Sequence, residues 1–150
     1  MYTLNTNKSN LGKANKEIVK KTDDNLSSKL KAIHWQSTAD VITWFCGLEN
    51  KERSTFIKFD IDQFYPSITQ ELLRKSIEWA ETLVEITDEE KHIIYSTKQN
   101  VLYWNGKPWV KKDDSKCDVT MGSWDGAETS DLVGLYILFQ LKDLDINLGL

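Results

Sequence analysis

Two aspartates, Asp60 and Asp62, stand two residues apart in the run Phe59-Asp60-Ile61-Asp62-Gln63-Phe64-Tyr65-Pro66-Ser67-Ile68, and an aromatic, Tyr65, follows the first of them by five residues. Carboxylate oxygens are what hard divalent cations take as ligands, and Mg2+ in particular keeps positions open for substrate phosphates. A ring placed just beyond such acids can wall a sugar. From Thr55 to Asp62, Ile57, Phe59 and Ile61 alternate with Phe56, Lys58, Asp60 and Asp62. That period of two predicts a strand with both acids on one face. Pro66 has no N–H to give a ladder, so the strand should end soon after Asp62 and leave the acids near its open end. The same composition would also suit a solvated strand end beside Lys58, so a second element is needed to decide.

That second element is the stretch Cys117 to Ser130, in which a glycine-containing turn leads into an apolar helix carrying Leu132, Val133, Leu135, Tyr136, Leu138, Phe139 and Leu141. Glycine lets another group approach the main chain closely, so Gly122 and Gly126 could admit a base pair or a nucleotide. A loop-to-helix turn that uses glycine only for its backbone freedom reads the same way.

The elements around these residues follow from periodicity and capping. Residues 1–11 are rich in Asn, Ser and Thr and are expected to be irregular. Val19, Leu26, Leu30 and Ile33 recur at helical spacing between Lys13 and His34, which predicts an amphipathic helix or a broken pair. Ser37 with Asp40, and Thr87 with Glu90, have the spacing of N-terminal capping boxes. Behind Ser37, Val41, Ile42, Trp44, Phe45 and Leu48 form an expected buried stripe. A further helix should open at Ser67 or Thr69 and bury Leu72, Leu73, Ile77, Ala80 and Val84. Asn105-Gly106 between Val101–Trp104 and Lys107–Val110 is a hairpin signal, because a type I′ turn needs two residues with positive φ. Pro108 marks the returning strand as short or an edge.

Taken together, these pieces resemble the fingers-palm region of reverse transcriptases, and the hairpin, Met-Gly turn and Leu-rich helix look most like Penelope-like elements and related retroelement polymerases. The similarity runs from about Trp35 to the end of the sequence and is sharpest at the motif around Asp60. It implies an α+β fold, helix-rich with a short antiparallel sheet: residues 12–150 as one partial fingers-palm domain with a ferredoxin-like palm, following the irregular segment 1–11. It implies template-directed nucleotidyl transfer by two-metal-ion catalysis, with Mg2+ or Mn2+ as cofactor and an RNA or DNA template-primer and a deoxynucleoside triphosphate as partners. Asp60 would be the catalytic, metal-binding aspartate, Ile61 would offer a backbone carbonyl to the metal, and Tyr65 would lie beneath the sugar. Gly126 and Ser130 would match the Gly-x-x-x-Ser core that touches the templating base and the incoming nucleotide, with Asp62 and Gly122 as further candidates. The family's Tyr-x-Asp-Asp hairpin has no counterpart in this sequence, nor has its thumb, so a truncated piece, inactive alone and self-associating through a bare sheet edge, is expected.

The Tyr-Pro-Ser-Ile tail also resembles family B DNA polymerases, although no Lys-x-x-x-Asn-Ser-x-Tyr-Gly helix follows it. From a different class, a noncatalytic α+β interaction module derived from a retroelement would use Asp60 and Tyr65 as ordinary surface and packing residues. Composition narrows these choices only partly. A chain of 150 residues, 40% hydrophobic, is one domain's worth. Its net charge of −4 argues against a self-sufficient nucleic-acid binder, but Lys8, Lys13, Lys16, Lys20, Lys21, Lys29 and Lys31 gather in the first third. Cys46 and Cys117 have no metal-ligand spacing, and no stretch has the length of a membrane span or the form of a signal peptide. An intracellular protein, nuclear or cytoplasmic, is therefore expected.

Overall fold

The structure is a computed structural model that describes residues 2–3, 10–30, 37–53, 55, 60–99, 102–109, 119 and 123–142. It is helix-rich. Among the described residues the order is β1 (Tyr2–Thr3), α1 (Asn10–Leu30), α2 (Thr38–Gly47), a 3-10 turn at Lys51–Arg53, α3 (Phe64–Ser67), α4 (Gln70–Glu81), α5 (Asp88–Thr97), β2 (Leu102–Trp104), β3 (Lys107–Trp109) and α6 (Gly126–Lys142).

The capping boxes form as their spacing predicts. Ser37 Oγ accepts from Asp40 N–H at 3.3 Å while Asp40 Oδ2 accepts from Ser37 N–H at 2.8 Å. At α5, Thr87 Oγ1 accepts from Glu90 N–H at 3.2 Å and Glu90 Oε2 accepts from Thr87 N–H at 2.8 Å. Each box satisfies two amides that the helix cannot pair internally. Thr69, not Ser67, caps α4, its hydroxyl accepting from Leu72 N–H at 3.1 Å. Ser67 instead ends α3, a single turn in which Pro66 is tolerated because first-turn amides have no intrahelical partner.

Helices α1, α3 and α4 pack against α6, and α5 packs against α1. The core between them is Val19 and Leu26 of α1, Leu73, Ile77, Trp79 and Ala80 of α4, Ile94 of α5, and Leu132, Val133 and Leu135 of α6, joined by Ile68, Val84, Ile86 and Val119. Trp79 meets Tyr136 and Phe139 with ring centroids 5.8 and 5.3 Å apart, tilted as aromatic pairs prefer. The α6 stripe is thus buried as expected in its first turns and half-buried further on. Helix α2 departs from expectation. None of its residues is buried, and Ile42 and Phe45 are 57% and 42% exposed.

The strands are two or three residues long. Asn105 and Gly106, with φ of 50° and 73°, turn the chain between β2 and β3, which pair antiparallel with Trp104 opposite Lys107 and Tyr103 opposite Pro108. Strand β1 pairs with the other side of β2, Tyr2 opposite Tyr103, so part of the expected irregular N-terminal segment is in a ladder. The sheet order β1-β2-β3 leaves Pro108 on an outer strand, where a missing N–H is harmless. No strand among the described residues carries Asp60: Thr55, Asp60 and Ile61 are in no ladder and Asp62-Gln63 is a turn, while residues 56–59 of the expected strand lie outside the described residues. No helix among them is long and apolar enough to cross a membrane.

Candidate functional site

Asp60 stands at the start of a tight turn. Its Oδ1 accepts from Ile61 N–H at 2.9 Å, and both residues are exposed, as is Asp62. Gln63 then takes a left-handed backbone, φ 49° and ψ 46°, and α3 begins at once. That conformation is uncommon for a residue with a side chain, and it reverses the chain so that Phe64 and Tyr65 come back onto the core. Their rings are 6.4 Å apart and tilted by 60°, and both are half-buried against the core cluster. The acids therefore face water while the aromatic that follows them is packed, with α3 resting on α6.

Gly126 and Ser130, the residues matched to the nucleotide contact, are both buried in the first turns of α6. Ser130 Oγ donates to the carbonyl of Gly126 at 2.7 Å. Its hydroxyl thus donates within its own helix. Gly122 lies outside the described residues.

Beneath the same turn is a joint that the sequence did not reveal. Lys98, just past the C-terminus of α5, places Nζ 2.5 Å from Asp125 Oδ2, and the two side chains are only 3% and 4% exposed. Asn15 of α1 donates through Nδ2 to the same carboxylate oxygen and to Thr97 Oγ1, the latter at 2.8 Å. Thr97 passes the chain on, donating to the Ile94 carbonyl at 2.8 Å. A buried carboxylate is tolerable only when paired and hydrogen-bonded, and Asp125 has both. It also sits at the N-terminal end of α6, where the helix dipole favours negative charge. Asp125 is thereby turned inward onto a cation. The only sequence signal was that Lys98 and Asn15 break the polar-outward rule if α1 and α5 are drawn as helices, which is visible only once their buried faces are known.

A second buried acid lies further along α1. Asp23 is 8% exposed, and neither of its carboxylate oxygens has a hydrogen-bond partner among the described residues. Burial, followed by the nearby charges of Asp131, Asp24 and Glu128, pushes its pKa up from the ordinary 3.8 to about 8. Asp23 is therefore held neutral at neutral pH.

Two-metal chemistry needs several carboxylates, because two divalent ions are seldom held by one side chain. Asp60 and Asp62 are two on one turn, and no group of three or more His, Cys, Asp or Glu able to hold a metal ion occurs among the described residues. These residues do not by themselves fit a two-metal centre. Comparisons with protein-family models, curated proteins and solved structures return no match.

Proposed function

We propose that this chain is a fingers-palm piece of a retroelement reverse transcriptase, in which Asp60 is the metal-facing aspartate, Ile61 the carbonyl donor and Tyr65 the residue that walls the nucleotide. The observation that most supports this reading is the packing of α3 on α6. It joins the segment directly after the acids to the helix that resembles the family's base-contacting element, two stretches about sixty residues apart in sequence. Mg2+ or Mn2+ would meet Asp60. The chain alone is then a weak or inactive polymerase, and its partners are a template-primer and a deoxynucleoside triphosphate.

Mn2+ titration followed by paramagnetic broadening of backbone amide signals tests the assignment. Broadening centred on Asp60, Ile61 and Tyr65, strengthened by added deoxynucleoside triphosphate and abolished in Asp60→Ala, is the expected result. Broadening elsewhere, or none, sinks it. A primer-extension assay adds a second arm: template-dependent incorporation unchanged by Asp60→Ala would remove Asp60 from the chemistry.

The interaction-module alternative is favoured by one feature, the solvent-facing Ile42 and Phe45 of α2. Such a module would keep its partner binding in Asp60→Ala and lose it in a double substitution of those two side chains.

A further inference from the structure

The turn that opens α6 presents its residues in opposite directions. Asp125 points inward, anchored to Lys98 and Asn15, while its neighbour Trp124 remains 44% exposed. The turn closes with Gly126 N–H on the Ser123 carbonyl at 3.3 Å. An exposed indole is an unusual use of the side chain with the largest apolar surface, and this one is held on a backbone fixed from below. Lys13 Nζ of α1 lies over the ring, 5.9 Å from its centroid, within reach of a cation–π attraction. Lys13 and Lys20 are both exposed and lie seven residues apart on one side of α1, with Lys16 between them paired to Glu128 at 3.2 Å. Seven residues of helix rise roughly 10 Å. That is about three steps of a stacked strand at about 3.4 Å per step.

We propose that Trp124, with Lys13 and Lys20, forms a contact site for single-stranded nucleic acid, the indole stacking on a base and the two ammonium groups meeting backbone phosphates. Aromatic platforms flanked by cations are how sequence-tolerant single-strand binders work, because every base has a π-face. The ammonium row takes the charge and the ring takes the base, so neither alone would hold a strand. Nucleic acid as the occupant rests on the polymerase reading above. The juxtaposition of the ring and the Lys13 ammonium group rests on geometry alone.

Fluorescence anisotropy with a labelled single-stranded oligonucleotide of about twelve nucleotides, within the usual site sizes, tests the proposal at low ionic strength. The comparison probe is an abasic deoxyribose-phosphate strand of the same length. The intact chain is expected to bind the oligonucleotide more tightly than the abasic strand. Trp124→Ala should weaken oligonucleotide binding by about tenfold and erase the preference, whereas Trp124→Phe should keep most of it. Lys13→Ala should weaken both probes and reduce the salt slope by about one. Equal binding of the two probes by the intact chain, no binding of either, or unchanged binding in Trp124→Ala would overturn the site. Circular dichroism establishes that each variant is folded before it is scored. Because Asp60 takes no part in these measurements, loss of Mn2+ broadening with retained oligonucleotide binding would count against the polymerase reading and not against Trp124.

Discussion

The Asp60–Asp62 turn and the Asn15–Thr97–Lys98–Asp125 joint both hold carboxylates, but they stand in opposite physical conditions. The turn is exposed, and Asp60 has a hydrogen bond to its own neighbour. The joint is out of water, and its carboxylate meets an ammonium group and an amide from two other elements. The contrast separates two uses of an acid. One acid faces water, and the other fixes where α1, α5 and α6 meet. It also explains why motif reading finds the first and not the second: the Asp60–Tyr65 spacing is local in sequence, while the joint is assembled from residues as far apart as 15 and 125.

The largest test of that contrast lies in the joint. Lys98→Met should leave Asp125 buried without its cation and lower the unfolding free energy by about 3–5 kcal/mol, the usual result of removing one partner of a buried pair. Adding Asp125→Asn removes both charges and keeps an amide to meet Asn15, so the double variant should recover at least half of the loss. Urea denaturation of the two variants measures both quantities. A loss below about 1 kcal/mol for Lys98→Met, typical of an exposed pair, would mean that the joint is wet and the contrast false.

Asp23 extends the contrast to a buried acid whose carboxylate has no hydrogen-bond partner among the described residues. Its folded pKa of about 8 lies above the ordinary 3.8, so the folded state holds a proton that the unfolded chain gives up. Stability from this group is therefore fully present below about pH 4 and falls as pH rises, by up to about 1.4 kcal/mol per unit, until it levels off near pH 8. The residual exposure of Asp23 softens the slope, and a fall of about 1–3 kcal/mol between pH 5 and 8.5 is expected, in line with what burying a polar group without a partner costs in proteins. Asp23→Asn should flatten the curve and be the more stable protein at pH 8.5. Parallel denaturation curves for the two proteins across that range would show that Asp23 is solvated.

The capping boxes represent what could be read directly. Ser37 with Asp40 and Thr87 with Glu90 are three residues apart, so local spacing carries the whole interaction, and both form. The Asn-Gly turn succeeds for the same reason. The α2 stripe fails because periodicity says which residues share a face but not whether anything covers that face. Asn15, Thr22 and Asp23 mislead in the opposite direction, being polar residues on the buried face of α1 that sequence alone assigns to water. Thr87→Ala is the matching test. It should cost about 1 kcal/mol, read as a lowered midpoint with unchanged cooperativity, and it should act independently of Lys98→Met because the two sites share no partner. A loss several times larger would mean that α5 depends on its cap more than on packing against α1.

Asp60→Ala should have the smallest effect on stability, under about 0.5 kcal/mol, as for exposed positions away from buried networks. Its only described hydrogen bond is to Ile61 N–H, which water can replace. The same substitution should remove Mn2+ broadening at Tyr65 while leaving Trp124-dependent oligonucleotide binding in place. A variant that changes a ligand response without changing the unfolding midpoint separates an acid kept for function from one kept for the fold. If Asp60→Ala instead lowered the midpoint as Lys98→Met does, Asp60 would belong with the joint, and its place before Tyr65 would be a matter of packing.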